Sequence, residues 1–210
     1  MNIFILADEE QKKEILAKPA AGDSSVFFAS AMTDLDPSIN YDAYFILFRE
    51  EEVDLQKLEG KPVFVNKVSE TLSESGYSAN VGRVNAWPGF LERPLWEAVS
   101  SDENKSELIF EMLNRKVIFV KDEPGFVSGR VISMIVNEAF FAFGENISTL
   151  EEIDMAMKLG TNYPNGPFEW AEKIGIEKIY LLLQKLAEKE ERYQPAPALK
   201  KLYLETTKRV

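Results

Sequence analysis

The chain has 210 residues, 45% hydrophobic and 28% charged, enough for one large domain or two small ones with a sizeable core. A formal net charge of −11 argues against nucleic acid and anionic membrane surfaces, which call for a basic footprint. With no histidine and no cysteine, the chain has no imidazole base, thiolate nucleophile, disulfide or His- or Cys-ligated metal.

Asn2 to Leu6 (NIFIL) reads as a short buried strand, followed by a helix-forming run from Asp8 to Leu16 with acids early and lysines late. Val26–Ala29, Ala43–Phe48, Lys61–Val65, Asn80–Val84 and Lys116–Val120 are further strand candidates. Glu70–Ser75 reads as a short helical or turn segment, and Glu103–Asn114 as a helix. Short apolar strands alternating with helical connections predict an α/β domain with a mostly parallel sheet. No apolar run is long enough to span a bilayer, and the N-terminal apolar residues meet acids too soon for a secretory signal; a cytoplasmic protein is expected.

From Pro124-Gly125 onward the strand signals cease. Val127 to Phe143 is apolar on nearly every face, which predicts a buried helix in a core or subunit interface. Ser148 to Glu151 has capping-box spacing, Gly160 sits where a helix stops, and Pro167 and Gly175 suit the first turn and the end of the next helix. Ile179, Tyr180, Leu183 and Leu186 share one face of a further helix, and Leu199, Leu202 and Tyr203 anchor a last one after Pro195-Ala196-Pro197. These signals set two domains, 1–122 and 123–210.

The stretch PGFV-x-x-R-(x)6-NEA, then S-x-x-EEID-x-AMKLG-x-x-YP-x-GPFE-x-A-(x)3-G, resembles the C-terminal domain of the 3-hydroxyacyl-CoA dehydrogenases. Upstream the resemblance continues in degraded form through Met32–Leu35, Asp42–Leu47, Leu95–Val99 and Val117–Phe126. It implies a shortened, degenerate Rossmann-like domain over 1–122 and a helical, dimerising domain over 123–210. The family's second strand, with its ribose-binding acid, has no counterpart.

In that family a histidine–glutamate dyad takes the proton of the 3-hydroxyl while hydride passes to NAD. Gly82 to Pro88 corresponds to the histidine motif, with Val84 at the histidine and Trp87 at the asparagine. Valine neither accepts nor donates a proton. Glu97 matches the glutamate, Gly129 stands at a second asparagine, and Val68 or Ser69 falls at a serine. Glu97 is therefore the one retained dyad position, either a tuned base or a structural acid. Ser69 and Trp87 are candidate substrate contacts; the cluster of Trp87, Phe90 and Trp96 reads either as core packing or as a flat ligand wall. Arg83 and Arg93 read either as anion ligands or as surface charge.

The first strand has no G-x-G-x-x-G after it; Ala7-Asp8-Glu9-Glu10 puts carboxylates where a diphosphate would sit, so no cofactor is expected. Two function readings follow: a family member of acyl-CoA or fatty acid metabolism lacking or nearly lacking dehydrogenase activity, or a non-catalytic acyl-CoA-binding or dimeric scaffold protein. The expected partners are acyl-CoA or another small molecule and a second copy, with no nucleic acid and no membrane.

Overall fold

A computed structural model describes every residue except Asp23, Glu59, Arg209 and Val210. It divides into two compact units, Met1–Phe126 and Val127–Val210.

The first unit is built on a seven-stranded sheet. Its elements are β1 (Asn2–Leu6), α1 (Glu9–Leu16), β2 (Ser25–Ala29), β3 (Ala43–Ile46), β4 (Val63–Val65), α2 (Leu72–Ser75), β5 (Val81–Val84), β6 (Leu95–Val99), α3 (Glu103–Met112) and β7 (Lys116–Phe119). The strand order is β2-β1-β3-β4-β5-β6-β7, and every neighbouring pair is parallel except β5–β6. The mostly parallel α/β reading therefore holds, with β6 an addition that the sequence patterns did not mark as a strand. Between β3 and β4 the described residues of the crossover form short 3₁₀ turns, Glu50–Glu52 and Leu55–Leu58, where parallel strands usually take a helix.

Alternation along the strands splits the core in two. One face buries Ile3, Ile5, Phe45, Phe64, Val84 and Trp96, against which Phe110 of α3 packs. Phe45 and Phe64 stack at 4.9 Å, and the Phe110 ring meets both edge-on. The other face buries Phe4, Leu6, Ile46, Val63, Val65 and Val81.

The second unit holds α4 (Ser128–Gly144), α5 (Leu150–Thr161), α6 (Pro167–Ile174), α7 (Ile176–Ala187) and α8 (Pro197–Thr207). Apolar on nearly every face, α4 buries only part of itself: Ile132, Val136, Ala139 and Phe140 lie inside, while Val131 and Phe143 are exposed. Asn137, buried on α4, donates to the Gln194 carbonyl at 2.9 Å and accepts from the Ala196 amide at 2.7 Å, fixing the entry to α8.

Two local expectations shift. The capping box of α5 uses Thr149 and Glu152, one residue beyond the predicted Ser148–Glu151, because Thr149 is the extended residue before the first turn. That helix runs past Gly160 to Thr161 and stops at Asn162 in the left-handed region, φ 55°. Pro167 and Gly175 stand at the start and end of α6 as predicted. The N-terminus of α6 is capped from afar: the Asp154 carboxylate accepts from the Phe168 amide at 2.8 Å and the Glu169 amide at 3.1 Å. Gly166 has to be glycine here, since a Cβ would come within 2.3 Å of the Asp154 carboxyl.

Two capping acids carry an acid dependence. Glu169 lies below its ordinary 4.5, chiefly through its hydrogen bond with Lys158 and then through the Gly166 amide. Glu152 is lowered too, by the Ser148 hydroxyl first and then by Thr149. A carboxyl lowered by folding contributes stability that is present above its unfolded value and lost as pH falls through the folded one. The stability of the helical unit should therefore decline on acidification below 4.5. Glu152→Gln with Glu169→Gln should flatten that decline in urea titrations; an unchanged slope would remove both groups from the account.

Candidate functional site

In an open parallel sheet, ligands bind beyond the carboxyl ends of the strands, where the strand order reverses. Here that point lies between β1 and β3, which flank each other with β2 outside. The turn after β1 closes on itself. Asp8 accepts from the Gln11 amide at 2.8 Å, and the Gln11 side-chain oxygen accepts from the Asp8 amide at 3.1 Å. The buried Gln11 amide group then donates to the carbonyls of Leu47, at 3.0 Å, and Ala86, at 3.4 Å. Asn66, following β4, donates to the same two carbonyls and accepts from the Ala86 amide at 3.1 Å. One turn further along α1, the buried Glu14 carboxylate accepts from the amides of Gly89, at 2.6 Å, and Leu91, at 3.0 Å. Buried polar groups must be paired, so these bonds hold the segment after β5 against α1. Sequence reasoning did not single out Gln11, Glu14 or Asn66; the Asp8-x-x-Gln11 capping spacing was the one available signal.

That segment carries the predicted site residues. Val84, at the end of β5, is 0% exposed and faces the core with Ile3, Phe45 and Trp96. Trp87 follows it at 4% exposure, so in this structure it offers little surface to a ligand. Phe90 and Trp96 are buried as well, and the Trp96 indole donates to the Leu91 carbonyl at 3.1 Å. Glu97 lies on β6, half-buried, opposite Ile118 of β7. Its backbone carbonyl accepts from the Asn85 amide at 3.1 Å. Arg93 lies in the field of Glu92, Glu97 and Glu14; burial lowers its pKa and these acids oppose the shift. Ser69 is half-buried in the bend after β4.

Arg83 is neither surface charge nor a free anion ligand. It is 0% exposed. Its Nε donates to Asp122 at 2.7 Å, and its two terminal nitrogens donate to the carbonyls of Lys67, Glu70 and Glu123 at 3.0, 2.9 and 2.6 Å. The guanidinium lies 4.4 Å from the Phe126 ring centroid. Burial lowers its pKa, and Asp122 opposes that shift. Asp122 also accepts from the Leu72 amide at 2.9 Å, so one ion pair joins the exits of β4, β5 and β7 to the start of α2. Among the described residues no group of three His, Cys, Asp or Glu is placed to hold a metal, and no helix is long and apolar enough to cross a membrane.

Residues 125–209 match the family model described as the 3-hydroxyacyl-CoA dehydrogenase C-terminal domain. That match covers the helical unit, which is similar to this domain. The chain is similar to the 3-hydroxyadipyl-CoA dehydrogenase of Escherichia coli, 36% identical over 107 residues, which are 49% of this chain and 22% of that protein. It is also similar to the probable 3-hydroxybutyryl-CoA dehydrogenase of Bacillus subtilis, 37% identical over 43% of this chain and 32% of that protein. These matches therefore span about a third or less of each curated relative. Among solved structures, the (S)-3-hydroxybutyryl-CoA dehydrogenase of Ralstonia eutropha superposes with a TM-score of 0.65 at 25% identity, covering 84% of this chain and 69% of that one. FadB2 of M. tuberculosis shares the fold, with a TM-score of 0.72 at 16% identity over 98% of this chain and 93% of that one. A Rossmann-like sheet followed by a helical domain, the fold expected from the sequence, is thus shared with 3-hydroxyacyl-CoA dehydrogenases.

These findings correct the expectation of no cofactor. The proteins that the helical unit resembles are dehydrogenases, and that likeness points to NAD. When bound, NAD supplies the hydride acceptor. The family-model match begins at residue 125 and does not reach the turn after β1. As folded, that turn does not fit a diphosphate by itself, because the Asp8 carboxylate already takes the amide hydrogen of Gln11 at the start of α1.

Proposed function

We propose that this 3-hydroxyacyl-CoA dehydrogenase-like protein of fatty acid metabolism keeps the family scaffold and lacks, or nearly lacks, the dehydrogenation step. One observation carries the reading: Val84, at the position matched to the family's proton-accepting histidine, is an apolar side chain sealed in the core of the first unit. No histidine elsewhere in the chain can replace it. Glu97 keeps its carboxylate but has no imidazole to orient. A positioned general base contributes roughly 10²–10⁴-fold, so turnover should fall short of an ordinary dehydrogenase by that factor. Steady-state oxidation of a 3-hydroxyacyl-CoA with NAD tests this, and an ordinary enzymatic rate would refute it.

A second reading is a non-catalytic acyl-CoA-binding or scaffold protein that pairs with a second copy through its helical unit. The exposed apolar residues of that unit favour it, among them Val131 and Phe143 on α4 and Leu159, 81% exposed, on α5. Calorimetric titration with acyl-CoA should give a binding heat, and light scattering should give twice the chain mass. Absence of heat removes the ligand half of this reading, and a monomeric mass removes the other.

A further inference from the structure

In doubly wound sheets the order 3-2-1-4-5-6 puts a further strand outside the second one. Here the order β2-β1-β3-β4-β5 reproduces that run from its second member, so β2 (SVFFA) ends the sheet with no strand beyond it among the described residues. The connection from β2 to β3, residues 30–42, holds a 3₁₀ turn, Met32–Asp34, and supplies no strand. Backbone pairing identifies the groups this leaves open. The Ser25 amide donates to the Met1 carbonyl at 2.9 Å, and the Ala29 carbonyl accepts from the Ala7 amide at 3.1 Å. Bonding residues alternate along a parallel pair. In this register Ser25, Phe27 and Ala29 therefore face β1, while Val26 and Phe28 turn their N–H and C=O groups to the outer side.

Edge strands that stay in water are ordinarily guarded by charge or proline. The opposite edge, β7, begins with exposed Lys116, but β2 holds neither a charged residue nor a proline. Its Val26, Phe27 and Phe28 are half-buried. Val26 and Phe28 rest against the core that buries Ile3 and Ile5, and Phe27 meets Tyr41 edge-on. The Lys12 ammonium of α1 stands over the Phe28 ring, 5.9 Å from its centroid, and pairs with no carboxylate among the described residues. An extended segment laid along this edge would bond the outward groups of Val26 and Phe28, and a carboxylate on it opposite Phe28 would meet Lys12. A second copy of β2 has no acid to offer that lysine. We propose that the outer edge of β2 docks an extended segment of a partner protein, apolar at alternate positions with an acidic residue beside Lys12.

Amide hydrogen exchange on the full chain, read by NMR, tests this with the end-blocked peptide Thr-Val-Thr-Glu-Thr-Val as probe. In the protein alone the Val26 and Phe28 amides should exchange faster than that of Phe27. Millimolar peptide should slow both by about tenfold or more. Replacing the peptide's Glu by Lys should weaken binding about fivefold, and Lys12→Glu in the protein should reverse that preference. Val26→Pro removes one outward donor while its neighbours keep their bonds to β1, and should cost about tenfold in binding. Methylating the peptide's amides at alternate residues covers a Val26→Pro chain that fails to fold: one alternate set should abolish binding and the other spare it. Exchange at Val26 and Phe28 unmoved by millimolar peptide, or equal binding of the Glu and Lys peptides, overturns the proposal. So does self-association of the wild type that protects those two amides, which would make the occupant a second copy.

Discussion

Arg83→Leu is expected to destabilise the first unit by about 3–5 kcal/mol, because removing one partner of a buried ion pair leaves the other uncompensated. Asp122 is 28% exposed and regains some water, so the lower end of that range is expected from the carboxylate alone. The rest comes from the carbonyls of Lys67, Glu70 and Glu123, which lose a charged donor in a partly buried setting. Arg83→Lys should rescue little of this, since one ammonium cannot span acceptors arranged for a planar fork. Urea denaturation reads both variants. A loss below about 1 kcal/mol for Arg83→Leu would show that this network does not hold the strand ends together.

Val84→His places an imidazole at the position matched to the family's base, and it is expected to cost about 2–4 kcal/mol without producing activity. The side chain faces Ile3, Phe45 and Trp96 in a filled core, where a larger ring overpacks and its two nitrogens find no partner. Restoring the residue type would not restore the site, because the backbone directs this position inward. Recovery of NAD-linked oxidation in Val84→His, at wild-type stability, would mean that the imidazole reaches a substrate.

Much of the architecture was legible because it rests on local chemistry. The apolar run of β1, the Pro167 and Gly175 boundaries of α6 and the mostly parallel sheet all follow from short-range patterns. Strand β6 was not read as one: LWEAV follows Pro94, and its alternation puts Trp96 and Ala98 inward while Leu95 stays exposed. Such a short mixed run looks like a motif rather than a strand. Arg83 was misjudged for a different reason. A lone arginine in VGRV reads as surface charge, and its burial depends on Asp122, 39 residues away, and on carbonyls from two other loops. Gln11 and Glu14 similarly find their acceptors and donors about 75 residues on. The site position that sequence did mark, Val84, proved informative through its surroundings: a residue that cannot move a proton is also fully buried in the core of the first unit.

The most direct measurement of the central claim is the pH dependence of 3-hydroxyacyl-CoA oxidation, run beside the Bacillus subtilis relative under identical conditions. Without a positioned proton acceptor, any turnover by this chain should be about 10²–10⁴-fold slower and should rise about tenfold per pH unit, as hydroxide takes the proton. A rate matching the relative's, levelling off through an apparent pKa of about 6–8, would show that a base is in place and would contradict the account.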